Sequence, residues 1–284
     1  MSDWLVLAKA RITALVLVTT AAGYVLGSRA TIDFSRLGLT LVGTALAAAG
    51  AGALNQVAER RPDALMRRTA SRPVAAGRIE PLTGLAFGLA VGSAGVLWLA
   101  FLVNPLTGVL ALVTIGLYIG VYTPLKRRTS LNTLVGAVPG AIPPVMGWTA
   151  ARGTIDPGAW ALFAILFLWQ VPHFLAIAWM YREDYARAGF PMLPVVDPGG
   201  EWTGRQAVLA TAALLPVSLL PTFLGLTGAL YFFGALALTL AFAAFALGLA
   251  LSRRRVAARR LLLASVTYLP ILLALLVLDR AAAP

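Results

Sequence analysis

Of the 284 residues, 60% are hydrophobic and 12% charged, about half the charged share of a soluble domain, and the mean hydropathy is +0.84. Such a chain is an integral membrane protein, which excludes a soluble enzyme, a disordered chain and a peripheral amphipathic binder. The formal charge of +12 comes with no cysteine and one histidine, His173. Disulfides, iron–sulfur clusters, thiolate zinc sites and a bis-histidine haem within one chain are therefore excluded too.

A bilayer-spanning helix needs about 20 mainly apolar residues. Stretches of that kind, cut by charge, glycine or proline, predict spans at about 12–28, 38–58, 83–102, 105–123, 132–151, 158–180, 206–226, 229–251 and 260–279. The first follows Lys9 and Arg11 and reads as an uncleaved helix rather than a signal peptide, because the second follows at once. With the N-terminus in the cytoplasm, 19 of the 23 Lys and Arg residues fall on the cytoplasmic side. Only Arg29, Arg36, Arg152 and Arg280 fall on the other. This is the positive-inside asymmetry. It predicts an all-α polytopic protein, nine transmembrane helices in one bundle over 1–284, with the N-terminus cytoplasmic. It also accounts for the net charge without a nucleic-acid partner. The arginines from Arg253 to Arg255, with Arg259 and Arg260, read as topology anchors on lipid headgroups.

Helix connections usually take 2–8 residues, yet cytoplasmic loops at about 59–82 and 181–205 exceed 20, and a third lies at 124–131. Eight of the 11 acids share that face: Asp3, Glu59, Asp63, Glu80, Glu183, Asp184, Asp197 and Glu201. Acids contribute little to orientation, so topology does not explain them. Asn55 and Glu59 stand four apart, on one helical face. Pro62 should break that helix and open a short new one, bringing Asp63 from a second element. The other reading of this cluster is a helix cap with solvated charges. Lys126 sits in Tyr122-Thr123-Pro124-Leu125-Lys126-Arg127-Arg128, either a plain positive-inside loop or a set of phosphate contacts. His173 lies inside the sixth span, where polar residues usually face the bundle interior and serve a function. It can also simply hydrogen-bond a neighbouring helix.

Carboxylates reach a diphosphate through Mg²⁺, which takes one or two carboxylates plus phosphate oxygens and water, while arginines contact the remaining oxygens in bidentate fashion. Acids and cations gathered at one membrane face would thus stabilise a diphosphate leaving group. A membrane-embedded cavity suits an isoprenoid tail.

Three stretches carry a family resemblance: Asn55 to Ile79, with ALMRRTASRPVAAGRI; Tyr122 to Trp148, YTPLKRRTSLNTLVGAVPGAIPPVMGW; and Phe167 to Pro194, FLWQVPHFLAIAWMYREDYARAGFPMLP. The chain resembles the UbiA-type intramembrane prenyltransferases, and within them the haem-farnesylating branch. The resemblance implies transfer of the farnesyl group of farnesyl diphosphate to a vinyl group of haem B, with water added, giving haem O and diphosphate. It implies Asn55, Glu59 and Asp63 in a first Mg²⁺–diphosphate motif and Asp184 with Tyr181 in a second. Glu59, Asp63 and Asp184 are then the metal ligands. Lys126, Arg67 and Arg72 become diphosphate contacts, and His173 positions the haem. It further implies residence in the bacterial cytoplasmic membrane with a cytoplasmic active site, and a haem A synthase or terminal-oxidase assembly factor as partner. Two positions depart from the family: Arg61 stands where an aspartate is frequent, and Lys9-Ala10-Arg11 replaces Lys-Pro-Arg. The competing readings are a family member using a quinone-precursor or chlorophyll-like acceptor, and a transporter. A transporter would place polar groups near the midplane in repeat pairs, and no internal repeat is present.

Overall fold

The computed structural model describes residues 2–28 and 31–281, so the expectation for Arg29 lies outside the described residues. A short helix α1 (Asp3–Leu7) precedes α2 (Ala10–Gly27) and α3 (Phe34–Ala58). After α4 (Arg60–Leu65) come α5 (Pro81–Leu102) and α6 (Pro105–Gly116), which runs through a π-helical stretch (Leu117–Tyr122) into α7 (Thr123–Leu125). Then follow α8 (Asn132–Arg152), α9 (Pro157–Met180), α10 (Arg182–Arg187), α11 (Leu193–Val196), α12 (Glu201–Phe223), α13 (Ala229–Ser252) and α14 (Arg255–Leu278).

Among the described residues, nine helices are long and apolar enough to cross a bilayer, with α6 through α7 counting as one. Each coincides with a predicted span. The seventh and ninth begin about five residues early, at Glu201 and Arg255. The apolar count stopped at the hydrocarbon edge, whereas the helices continue with charged turns into the headgroup layer.

In lipid, where apolar burial does not separate helix from helix, small residues let backbones approach. A Cβ on Gly50 of α3 would lie 2.4 Å from the backbone of Gly92 on α5. One on Gly147 of α8 would lie 1.9 Å from the Thr20 carbonyl oxygen of α2. Both contacts exclude any side chain.

The end of the bundle carrying the short connections is closed by caps. Asp33 accepts from the Arg36 amide, Asn104 from Thr107 and Asp156 from Gly158, satisfying first-turn donors of α3, α6 and α9. Asp279 accepts from the Tyr231 amide at 2.7 Å, capping α13 from another helix. Arg36, Arg152 and Arg280 donate to the carbonyls of Val103, Gly27 and Ser28, at helix C-termini, where cations are favoured. The three acids at this end are thus structural, and the remaining acids lie with the long loops.

Candidate active site at the loop-rich end

Glu59 ends α3 and Asp63 lies in α4, and the helix breaks at Glu59, three residues before Pro62. Pro62 occupies the first turn of α4, where backbone donors lack intrahelical acceptors and a missing amide costs nothing. The Asp63 amide donates to the Glu59 carbonyl at 2.8 Å, which keeps the two residues one helical turn apart. Both are buried, 0% and 4% exposed, so neither is a solvated surface charge.

Each acid meets a cation from another part of the chain. The Lys126 ammonium donates to both oxygens of Glu59, at 3.0 and 3.1 Å. Arg72 donates to Asp63 Oδ2 at 2.6 Å. The other oxygen, Asp63 Oδ1, is buried and has no hydrogen-bond partner. Lys9, in the left-handed region with φ +50°, donates to Asn55 Oδ1 at 2.6 Å and to the Tyr118 hydroxyl at 3.1 Å. The amide of Asn55 donates to Thr123. Gln56 anchors α1 through the carbonyls of Val6 and Leu7, which fixes where Lys9 enters.

The cations differ electrostatically. Burial, reinforced by Arg72 and Lys126, pushes the Lys9 ammonium down to about 7, against the pull of Glu59 and Asp63. Burial also opposes charge on Lys126, but Tyr122 and Glu59 outweigh it and hold that ammonium above the usual lysine value. A buried anionic oxygen without a donor is a costly group, and it suits the oxygen shell of a hard divalent cation. Glu59 and Asp63 therefore have the chemistry to hold a hard divalent cation such as Mg²⁺. Lys9, Arg72 and Lys126 are the cations beside them.

The sequence-predicted residues divide between two places. Asn55, Glu59, Asp63, Arg72 and Lys126 gather in this cluster. Asp184 pairs with Arg187 instead, and with Tyr181 and Arg67 it lines a cavity of about 430 Å³ that neither Glu59 nor Asp63 borders. Among the described residues no three His, Asp or Glu side chains stand close enough to hold one metal ion. Arg253 and Arg255, expected as lipid anchors only, line the same cavity. Arg61 is exposed and does not come between Glu59 and Asp63 and their cations.

Three residues escaped the sequence reading as site members. Tyr118 and Tyr122 stack with ring centroids 5.6 Å apart, and the Lys126 ammonium lies 5.9 Å from the Tyr122 ring and 4.6 Å from that of Phe190. The π-helical stretch brings both tyrosines there, and such insertions are frequent at functional sites. Hydropathy cannot detect one. Lys9, the third, was noted only as a topology charge and as part of the altered Lys9-Ala10-Arg11 stretch.

His173 sits deeper, on α9. Its Nδ1 lies 2.7 Å from the Ser265 hydroxyl of α14, which also lies 2.6 Å from the Leu262 carbonyl oxygen. A hydroxyl has one proton, and the carbonyl only accepts. Both contacts are hydrogen bonds only if Ser265 donates to Leu262 and a protonated Nδ1 donates to Ser265. In the neutral ring Nε2 is then the bare nitrogen. Trp169 stacks on the imidazole at 5.0 Å and donates to the Ser265 carbonyl.

The sequence pattern of the UbiA prenyltransferase family matches residues 16–273. A protein of Solibacter usitatus named protoheme IX farnesyltransferase is 49% identical, with 99% of each chain covered. Its namesake from Salinibacter ruber is 48% identical over 98% of each. A structure titled for digeranylgeranylglyceryl phosphate synthase in membranes superposes with TM-score 0.78 at 16% identity, covering 98% of this chain and 97% of the other. A UbiA homologue from Archaeoglobus fulgidus, bound to GPP and Mg²⁺, superposes with TM-score 0.71 at 16% identity, covering 97% and 99%. These two likenesses establish the fold.

Proposed function

Because the chain belongs to the UbiA prenyltransferase family, we propose that it transfers the farnesyl group of farnesyl diphosphate to a vinyl group of haem B, water being added, to give haem O and diphosphate. The observation that carries this reading is the likeness over nearly the whole length to relatives named for protoheme IX farnesylation. The cluster at the loop-rich end supplies a place for the donor. Glu59 and Asp63 would hold Mg²⁺, with Asp63 Oδ1 the oxygen still lacking a partner. When bound, that ion neutralises charge building on the diphosphate as it leaves.

The chain's own groups do the rest. Lys126 pairs with Glu59 and Arg72 with Asp63, and both would present their remaining N–H donors to the diphosphate oxygens. Lys9, held by Asn55 and Tyr118, would add a further N–H donor. Breaking the C1–oxygen bond leaves the electron pair on diphosphate, and C1 bonds to the terminal vinyl carbon. Water adds to the inner vinyl carbon and releases a proton. His173 would position the haem, its Nε2 free to meet the iron. The apolar bundle keeps water from the allylic cation until the acceptor is in place.

By the positive-inside asymmetry, we place the loop-rich end in the cytoplasm of a bacterial cell, the chain being one intramembrane domain and its product passing to a haem A synthase or a terminal oxidase. The test is to express the protein, extract membrane haems and separate them by reversed-phase chromatography. A late-eluting farnesylated haem absent from the Asp63→Asn strain supports the reading. A haem profile unchanged by expression of the active protein contradicts it.

A further inference from the structure

The carboxylates of the cluster are closed off. Glu59, Asp63 and Lys126 are buried, and Asp63 Oδ1 is shielded from solvent without a donor. A diphosphate reaches them only if a neighbouring part of the chain moves. Moving Arg72 or Lys126 would strip a buried carboxylate of its cation, which is the costly way to open a buried pair. Lys9 is different. Among the described residues its ammonium meets no carboxylate within ion-pairing distance, only the neutral Asn55 and Tyr118. Its departure uncovers uncharged groups and returns the ammonium to water, where a charge is best solvated.

Lys9 also sits at a joint. The helix before it, α1, has five residues, too few to be stable alone, and is held from outside. Gln56 donates to the carbonyls of Val6 and Leu7 at 2.7 and 3.0 Å, and Leu7 packs among Ala53, Val57, Val74 and Ile79. Asp3 meets Arg78 at 3.0 Å with both side chains open to solvent, so that tie contributes little. Between α1 and α2 a single residue leaves helical geometry. Ala8 is right-handed, whereas Lys9 has φ +50° and ψ +46°, a left-handed conformation disfavoured for any residue with a side chain. No proline or glycine occurs from Asp3 to Ala22, and Ala10 does not restrict Lys9 as a proline would. Turning Lys9 to right-handed values would therefore run α1 and α2 into one continuous helix. That change carries α1 off α3 and withdraws the ammonium from the cluster.

We propose that α1 and Lys9 form a strap with two positions: lifted, with Lys9 helical, to admit the donor's head group, and shut, as here, with the ammonium beside it. This inference rests on the reading of the cluster as the farnesyl diphosphate site. An arriving diphosphate gives Lys9 the anionic partner it otherwise lacks, so the bound donor favours the shut position through that differential contact. The strap then retains the donor, and its lifting becomes a step in the exchange of diphosphate.

The chain has no cysteine, so an Asp3→Cys/Arg78→Cys variant can be joined by a short bis-methanethiosulfonate linker and freed with dithiothreitol. The experiment times the binding and release of tritiated farnesyl diphosphate, with Mg²⁺, on this purified variant. Linking before the donor is added should slow association by about tenfold or more, and linking afterwards should slow release similarly, as a lid held shut does. Reduction should restore both rates, which separates a locked strap from a misfolded protein. Equal rates in linked and freed protein overturn the inference. A second measurement needs no linker. Leu7 is buried under the strap, so Leu7→Cys should react slowly with a water-soluble maleimide, and about tenfold more slowly once farnesyl diphosphate is bound. Adding Lys9→Met should abolish that protection, and protection that survives Lys9→Met overturns the part given to Lys9. If wild type takes up no farnesyl diphosphate, or Asp63→Asn binds it equally well, the donor-site reading itself fails.

Discussion

One oxygen of Asp63 receives Arg72 at 2.6 Å while the other is buried without a donor. That asymmetry is what the proposed Mg²⁺ site rests on, and it leads to the first expected outcome. Asp63→Asn and Glu59→Gln should each lower turnover by about two orders of magnitude or more, in line with loss of a group that stabilises transition-state charge. EDTA should abolish activity and Mg²⁺ restore it. Wild-type rates in both variants would remove the carboxylates from the mechanism. Lys126 is the companion case. Removing a charge-assisted phosphate contact costs about 1.5–3 kcal/mol, so Lys126→Ala should weaken farnesyl diphosphate binding about tenfold to a hundredfold, as read by calorimetry. At the other substrate, Ser265 fixes the His173 tautomer. Ser265→Ala should raise KM for haem B about tenfold, the usual size of such an outer contact, and Ser265→Thr should restore it. An unchanged haem KM in Ser265→Ala would make the His173–Ser265 bond a packing detail.

At the scale of elements, the nine spans were readable because each needed only apolar length between charged or helix-breaking ends. The site was readable in part. Helical spacing and Pro62 anticipated that Asn55, Glu59 and Asp63 lie close in the fold, although the break falls at Glu59. Asp184, expected in a second motif with Tyr181, pairs with Arg187 three residues along the same short helix. No local pattern distinguishes a carboxylate held by its helical neighbour from one turned toward another loop. The π-helical stretch at Leu117–Tyr122 was invisible for a similar reason: it changes backbone register, not composition. Helix contacts give a prediction of their own. Gly50 meets the Gly92 backbone where no Cβ fits, so Gly50→Leu should overpack the α3–α5 contact and destabilise the protein by about 1–3 kcal/mol or more. The loss should appear as a lower Tm in detergent. The same substitution at Gly38, where nothing lies within 4 Å, should be neutral, and equal losses at both would refute the close-approach argument.

For the molecule as a whole, the two ends of the bundle do different work. At one end Asp33, Asp156 and Asp279 cap helices, and Arg36, Arg152 and Arg280 hold C-terminal carbonyls. At the other, acids and cations meet in buried pairs and around a cavity. This separation is what a transporter, with polar groups near the midplane, would lack. It leaves one end for chemistry on anionic head groups and the apolar interior for the tails and rings attached to them. The most direct measurement of that account supplies purified protein with Mg²⁺, farnesyl diphosphate and an equimolar mixture of haem B and a phenolic quinone precursor, in water enriched in oxygen-18. The account predicts one prenylated product, a haem whose mass has grown by a farnesyl group and one labelled hydroxyl, formed in step with diphosphate. Farnesyl found on the phenol, or diphosphate released with the haem unaltered, would contradict it.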